Sequence, residues 1–148
     1  MSLGIKNLTR ASLPRLPYAA IVNRVLGRHP APEVSLVFIG RDRSRQLNQT
    51  YRGKDKPANI LTFPFAAGEG EILICLNIAR AEVKRARVSF PNYLQHLFIH
   101  GLLHLKGFAH GSRMEALERQ IITFFTRYGQ NHRYRARRRH GVSQSRRL

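Results

Sequence analysis

One stretch decides the fold and the chemistry of this chain: His100-Gly-Leu-Leu-His104-Leu-Lys-Gly107-Phe-Ala-His110. Two histidines at this spacing on a helix project from the same face, one turn above the other. Gly107 is expected to end the helix, because glycine adopts the left-handed conformation at a helix C-terminus without steric cost. The chain can then turn back, so that His110 reaches the point at which the other two side chains converge.

Imidazoles that converge in this way are typical of a metal site with one open coordination position. A cation held there activates water near neutral pH and polarises an oxygen of the substrate. The pattern predicts one ion per chain, Zn²⁺ or another divalent metal, with three ligands: His100, His104 and His110. A lone histidine on an apolar helix is usually a core or capping residue, but three at ligand spacing favour a metal site.

The general base is not determined by this pattern. The spacing resembles that of the metzincin proteases, in which a glutamate directly follows the first histidine. That position is Gly101 here, so the protease base is absent. Metal-activated water alone, Glu71 or a further histidine remain candidates. His96, one turn before His100, is interpreted as a structural or supporting residue.

The charge of the chain indicates a polyanionic partner. Its 148 residues suffice for one domain, and 43% are hydrophobic, enough for a packed core. The 26 Lys and Arg residues outnumber 8 Asp and Glu, which gives a net charge of +18. Such a surface attracts a polyanion such as RNA, whereas a peptide substrate gives no reason for the excess.

The positive charge is concentrated near the C-terminus, because no acidic residue follows Glu118. We therefore expect a single catalytic metal-binding domain over residues 1–128 and a basic, disordered tail over 129–148. Arginines interleaved with Tyr134 fit RNA phosphates and stacked bases. A solvated tail with no partner is an equally good interpretation.

Cysteine content and hydropathy predict a cytoplasmic protein, with an organelle matrix as the alternative. Cys75 is the sole cysteine, so no disulfide can form within the chain. No apolar run is long enough to span a membrane, and no secretory segment is visible. The acid-free first 32 residues weakly resemble a transit peptide, but the alternation over 2–7 favours an ordinary first strand.

Hydrophobic periodicity and turn signals predict alternating strands and helices. In chain order these are a strand over 2–8, a helix opened by Pro14 and Pro17 and ending near Leu26, a strand over 33–39, a helix capped by Asp42, strands over 59–63 and 71–76 joined by a glycine-rich loop at 68–70, a helix over 77–88, the histidine helix from Pro91, and a helix from Ser112 to about Tyr128. The histidine helix is apolar on nearly every side, so we expect it at the centre of the domain.

Four segments of this sequence resemble the YbeY endoribonuclease family. The histidine stretch resembles its H-G-x-L-H-L-x-G-Y-D-H signature, and residues 47–65 resemble L-N-x-x-Y-R-x-K-D-x-P-T-D/N-V-L-S-F-P-F. Residues 70–75 resemble its G-D-I-x-I strand, and Met114-Glu-Ala-Leu-Glu118 its M-E-x-x-E helix start. The resemblance covers residues 33–128 in order.

The resemblance implies an α+β, zincin-like fold, in which a mixed four-stranded sheet packs against about five helices with the metal-ligand helix in the middle. It implies a single-strand-specific, metal-dependent endoribonuclease that acts in small-subunit (16S-type) rRNA 3′-end processing and in ribosome quality control. The implied partners are single-stranded RNA, small ribosomal subunit proteins and an Era-type GTPase, with no membrane.

The resemblance also assigns residues. The family's metal ligands fall on the three histidines, with His100 also in a catalytic role, and its functionally important arginine falls on Arg52. A guanidinium binds phosphate through two donors and stabilises charge in the transition state. The alternatives for Arg52 are a salt bridge to Asp55 or an ordinary exposed side chain. Lys54 and Lys56 are expected to add RNA phosphate contacts.

Three positions depart from the family pattern: Ala109 replaces an aspartate, Ala58 a threonine, and Glu71 an aspartate. A carboxylate at position 109 could support a ligand, and loss of such support commonly weakens metal affinity about ten- to a hundredfold. We therefore expect the fold to be retained and the metal affinity to be altered.

Two further functions remain open at this point. One is a noncatalytic ribosome-assembly factor that binds rRNA and contains a structural metal. The other is a metalloprotease, against which Gly101 argues.

Overall fold

The computed structural model describes residues 1–127, and this part of the chain forms four strands and five helices. They are β1 (Ser2–Asn7), α1 (Tyr18–Leu26), β2 (Glu33–Ile39), α2 (Arg41–Arg52), β3 (Ile60–Ala66), β4 (Glu69–Cys75), α3 (Leu76–Ala86), α4 (Phe90–Lys106) and α5 (112–127). The predicted α+β class is confirmed. The predicted basic tail, residues 129–148, lies outside the described residues, as does residue 128 of the predicted domain.

The four strands form one mixed sheet with the order β1-β2-β4-β3. β1, β2 and β4 are parallel to one another, and β3 pairs antiparallel with β4 at one edge. Residues 36–39 of β2 are all buried, because helices cover both faces of the sheet there. This explains why the strand is apolar at consecutive positions and why its bounds are the predicted ones.

The two faces of the sheet support different helices. On one face α1, α4 and α5 pack against side chains such as Leu36, Phe38 and Ile72. On the other face Leu47 of α2 packs against a smaller cluster that contains Leu73. Residues on α2 and residues on α4 therefore lie on opposite sides of the sheet.

Helix α4 lies at the centre of the domain, as its sequence predicts. The hydroxyl of Ser89 accepts a hydrogen bond from the backbone N–H of Asn92 at 3.2 Å and caps the first turn. Gly107 ends the helix in the left-handed conformation with φ at 108°. Nine residues of the helix are buried, and the helix packs against the sheet and against α1. Within residues 1–127, no helix is both long and apolar enough to cross a membrane.

Three details of the predicted secondary structure are wrong. Pro14 does not open α1, which begins at Tyr18 with Pro17 at the cap position. Asp42 does not cap α2. The cap position is Gly40, two residues earlier, and Asp42 lies in the first turn of the helix. The predicted glycine-rich loop at 68–70 is a tight turn at residues 67–68, and β3 and β4 are longer than expected. Gly68 supplies the positive φ of 75° that the turn needs, whereas Gly70 is part of β4.

Gly70 is required by close packing and not by a turn. A Cβ atom at this position would lie 2.6 Å from the backbone oxygen of Phe63 and 2.6 Å from Cδ2 of Leu105. The glycine therefore allows the C-terminal end of the histidine helix to approach the sheet closely.

The substitution Gly70→Ala is expected to destabilise the fold by about 1–3 kcal/mol, because the backbone of β3 must move to relieve the contact. The measurement is urea unfolding of the two proteins. Gly4→Ala is the matched control, since a Cβ there has no neighbour within 4 Å. An equal stability change in both variants would contradict the packing account.

Candidate metal centre

The structure brings the three predicted ligands together. His100 and His104 project from one face of α4, and the turn after Gly107 places His110 beside them. The ring centroids are 4.6 Å apart for His100 and His104, 5.1 Å for His100 and His110, and 4.5 Å for His104 and His110. One ring nitrogen of each lies within 4.8 Å of the other two, so the group can hold a metal ion.

The imidazole of His104 is fixed in one tautomer. Its Nδ1 lies 2.9 Å from the carbonyl oxygen of Phe108. A carbonyl can only accept, so Nδ1 carries the proton and donates, and Nε2 has a free lone pair. Burial lowers the pKa of His104 below its ordinary value and outweighs the hydrogen bond to Phe108, which raises it. The neutral ring is the form that binds a metal.

The imidazole of His100 is held by Glu118 of α5. Its Nδ1 forms a short hydrogen bond to Oε1 of Glu118, so the ring again donates from Nδ1 and leaves Nε2 free. The second oxygen of the same carboxylate accepts from Nε2 of His96 at 3.3 Å. A carboxylate behind a ligand imidazole is the usual arrangement in histidine metal sites, where it fixes the ring and makes the ligand more basic.

The Nε2 atoms of His100 and His104, which have free lone pairs, lie beside each other. Their Nε2 atoms are 3.1 Å apart. Both rings already donate from Nδ1, so in the neutral state neither Nε2 can donate to the other. In a tetrahedral zinc site with bonds of 2.0–2.1 Å, two ligand nitrogens lie about 3.3 Å apart. The donor atoms present therefore fit a divalent cation in both chemistry and spacing.

Glu118 is the functional residue that sequence reasoning missed. The sequence motif at Met114–Glu118 resembles the family's helix start but assigns no role to this glutamate. It shares the buried stripe of α5 with Met114, Ile121 and Phe125, and it is only 8% exposed. A carboxylate is rarely so buried unless it is paired. Its position in an otherwise apolar stripe was the signal in the sequence.

The histidines open onto a cleft of about 330 Å³, which we call the histidine cleft. It is lined by residues of β3, α4, α5 and the loops beside them: Asn59, Ile60, Tyr93, His96, Leu97, His100, His110, Gly111, Met114, Glu115 and Glu118. The lining includes two glutamates and, among the described residues, no lysine or arginine. In a chain with a net charge of +18, this is a locally acidic site. Its charge suits a cation directly and a phosphate only once a cation is bound.

One wall of the cleft is held by Glu82 of α3. The carboxylate accepts from Nδ2 of Asn59 at 3.1 Å and from the hydroxyl of Tyr93. Burial and the neighbouring carboxylate raise the pKa of Tyr93 to about 12, so the phenol stays protonated and continues to donate. Asn59 therefore does more than close a turn, since its amide joins β3 to the helices beside the cleft.

Gly101 faces the sheet and not the cleft. It is buried, and a Cβ atom there would lie 3.0 Å from Cδ1 of Ile60 and 3.1 Å from two carbon atoms of Ile72. A glutamate at this position would bury a carboxylate among isoleucine side chains at high cost. The packing of α4 on the sheet thus explains why the protease-type glutamate is absent.

Arg52, Lys54 and Lys56 are exposed and do not line the histidine cleft. They follow one another at and after the C-terminal end of α2, on the other layer of the domain. Asp55 does not pair with Arg52; it forms two hydrogen bonds with Arg45, at 2.7 and 3.0 Å, which lower the pKa of the Asp55 carboxyl. Within residues 1–127 the guanidinium of Arg52 has no hydrogen-bond or ion-pair partner.

Glu71 is excluded as the base at the metal. Ile72 and Ile74 of β4 face the histidine helix, and the alternating residues face α2. Glu71 lies on the α2 face, in a separate cleft with Arg43 and Tyr51. The free carboxylate that does line the histidine cleft is Glu115, which makes no side-chain hydrogen bond within the described residues.

Comparison with known proteins agrees with this geometry. A sequence model of the family described as Endoribonuclease YbeY matches residues 7–126. The chain belongs to the YbeY family. The family membership predicted from the sequence motifs is confirmed.

Two curated YbeY proteins, each named Endoribonuclease YbeY, are similar to this chain. The protein of Chromohalobacter salexigens is 39% identical, over 72% of this chain and 79% of its own length. The protein of Colwellia psychrerythraea is 38% identical, over 61% of this chain and 63% of its own length. The chain thus spans slightly under two thirds of the second relative.

A solved structure confirms the fold. The solution structure of a Thermotoga maritima protein superimposes with a TM-score of 0.66, over 87% of this chain and 93% of the other. The two are 23% identical, so the similarity concerns the fold. The predicted α+β fold is therefore confirmed, and it is shared with a protein of known structure.

Proposed function

We propose that this protein is a metal-dependent endoribonuclease that cleaves single-stranded RNA, with His100, His104 and His110 as the ligands of one divalent cation, most simply Zn²⁺. The observation that supports this most strongly is the 3.1 Å separation of the Nε2 atoms of His100 and His104, beside an open cleft that no lysine or arginine of residues 1–127 lines. The family and the names of its curated members support the choice of RNA as substrate.

The side chains of the site have distinct tasks in this proposal. A bound divalent cation supplies a Lewis acid that activates water near neutral pH and polarises a phosphate oxygen. Glu118 orients the ring of His100 and keeps its proton on Nδ1, away from the ligand atom. Glu115 is placed to accept a proton from the attacking water, because it lines the cleft and its carboxylate is free.

We propose that Arg52 binds an RNA phosphate and stabilises the charge that develops there, with Lys54 and Lys56 adding weaker contacts. Its exposure and its lack of an ion-pair partner within residues 1–127 support this role. Because Arg52 lies on the α2 layer, RNA must extend beyond the histidine cleft to reach it.

The biological role that we propose is small-subunit rRNA 3′-end processing and ribosome quality control in the cytoplasm, with small-subunit proteins and an Era-type GTPase as partners. The net charge of +18 supports association with a large RNA assembly. The altered metal affinity expected from Ala109 also remains a prediction.

The test of the proposed function is cleavage of single-stranded RNA by protein stripped of metal with a chelator. We expect cleavage to stop and to return when one equivalent of Zn²⁺ is restored, whereas double-stranded RNA and a peptide library stay intact throughout. Undiminished cleavage by metal-free protein would overturn the proposal. RNA binding without cleavage, in metal-loaded protein, would instead favour the assembly factor with a structural metal.

A further inference from the structure

A second cleft lies on the opposite face of the sheet, between α2 and β3. Its volume is about 320 Å³, and three aromatic side chains line it: Tyr51, Phe63 and Phe65. Tyr51 is 65% exposed and Phe65 is 73% exposed, unusually high values for large apolar side chains. We call this surface the aromatic cleft. Exposed clusters of apolar side chains commonly mark interaction sites.

Two of the aromatic side chains are on strand β3, and the third is on helix α2. Phe63 pairs with Glu71 across β3 and β4, and its ring contacts Tyr51 edge to face with centroids 5.0 Å apart. The ladder is irregular between Pro64 and Ala66, so Phe65 lies at a β-bulge. Bulges commonly redirect a side chain at the edge of a sheet. The ring of Phe65 is thereby presented to solvent on a rigid element.

Two charged side chains of the aromatic cleft are available to a ligand. Arg43 is exposed and Glu71 is half-buried, and neither has a hydrogen-bond or ion-pair partner within residues 1–127. An arginine suits a phosphate, and a glutamate accepts hydrogen bonds from the amino groups of bases. Exposed aromatic rings provide stacking platforms for single-stranded nucleic acid. The chemistry of the cleft therefore matches unpaired nucleotides.

The charge of α2 favours the same occupant. The helix has arginine at positions 41, 43, 45 and 52 and a single acidic residue, Asp42. Among the described residues, 1–127, Arg45 is the one arginine of this helix that forms an ion pair, with Asp55. Arg43 lies on the face of α2 that lines the aromatic cleft, with Leu47 and Tyr51, and would meet a phosphate there. The other three arginines lie on another face of the helix and add only to the positive charge of its surroundings.

Strand β3 connects the two clefts. It begins at Ile60 in the histidine cleft, and five residues later Phe65 lines the aromatic cleft. At 3.3 Å per residue this is about 16 Å, a span that a short stretch of single-stranded RNA covers. β3 is an edge strand of the sheet, so RNA can pass around this edge from one face to the other.

We propose that the aromatic cleft binds unpaired bases of the RNA whose backbone is cut at the histidine cleft, by stacking on Tyr51 and Phe65. This rests on the proposed function for the identity of the substrate. It adds a binding surface on the other face of the sheet, which makes cleavage dependent on a single-stranded segment beside the scissile bond.

The test measures binding and not cleavage, so that it is independent of the proposed activity. Metal-loaded full-length protein is titrated by fluorescence anisotropy with a short 2′-O-methyl oligoadenylate, which is checked on a gel to remain uncut. The second probe is an abasic 2′-O-methyl oligomer of the same length and charge. The ratio of the two affinities isolates stacking, because electrostatic attraction contributes equally to both.

We expect the wild-type protein to prefer the base-bearing probe, and Tyr51→Leu and Phe65→Leu each to reduce that preference about five- to a hundredfold. Tyr51→Phe retains the ring and should bind as the wild type does. Leu8→Ala is the control for loss of an exposed apolar side chain, since Leu8 is 62% exposed and follows β1 at the opposite edge of the sheet.

Equal binding of both probes by the wild type, or unchanged ratios in both leucine variants, would overturn the proposal and leave the aromatic cleft as a surface for a protein partner. A lost ratio in a protein that cuts no RNA would support the aromatic cleft and refute only the nuclease activity. Cleavage of RNA by the wild type, with unchanged affinity ratios in both leucine variants, would support the nuclease activity and refute the aromatic cleft as a site for bases.

Discussion

Replacing His104 by alanine is expected to abolish zinc binding and, with it, RNA cleavage. His104 supplies one of three candidate ligand nitrogens, and its Nε2 is left free because Nδ1 donates to the carbonyl oxygen of Phe108. The loss of affinity should exceed the roughly hundredfold that removal of a partner behind a ligand can cost, since a ligand itself is removed. The measurements are zinc affinity by competition with a chelating dye and the cleavage rate of single-stranded RNA.

The control for this experiment is His29→Ala. His29 is exposed in the segment between α1 and β2 and does not line the histidine cleft, so metal affinity and cleavage should match the wild type. A His104→Ala protein that still binds zinc with full affinity would show that the histidines do not act as one site. Loss of zinc with undiminished cleavage would show that the metal is structural.

The substitution Glu118→Gln is expected to weaken zinc binding about ten- to a hundredfold while the fold is retained. Glutamine preserves the size of the side chain, but it has one acceptor oxygen and no charge. The carboxylate serves two rings, since one oxygen accepts from His100 and the other from His96. The measurement is again zinc affinity, with the melting temperature recorded to confirm that the fold persists.

Glu115→Gln is the control that distinguishes two effects on zinc affinity: the orientation of the His100 ring and the negative charge of the cleft. Glu115 lines the same cleft and is on the same helix, but within residues 1–127 its side chain forms no hydrogen bond to either histidine. We expect its zinc affinity to change only a few-fold, by loss of a screened charge. Equal losses in both variants would mean that Glu118 acts through its charge alone.

The fold could be predicted from the sequence where apolar residues mark burial on every side. β2 is buried from Leu36 to Ile39 and has the predicted bounds, and α4 is buried around most of its circumference. Prediction from local sequence patterns failed where tertiary packing, and not local conformation, explains the residue type. Gly70 suggested a loop, whereas in the structure it allows Leu105 of α4 to approach the sheet.

The part of the candidate site that lies on α4 and in the turn after it could be predicted from the sequence. His100, His104 and His110 belong to a single local motif, so their spacing alone indicates convergence. Glu118 comes from another helix, and only the packing of α5 against α4 brings it to His100. The same limitation applies to Arg52 and Glu71, because sequence proximity does not reveal which face of the sheet a residue occupies.

The central claim is that three imidazoles hold one cation and leave one position open. X-ray absorption at the zinc edge of the zinc-loaded full-length protein tests it directly. The account predicts three nitrogen ligands at about 2.0–2.1 Å and one oxygen ligand that is displaced by added phosphate. A fourth ligand from the protein that phosphate cannot displace, or coordination by fewer than three nitrogens, would contradict it.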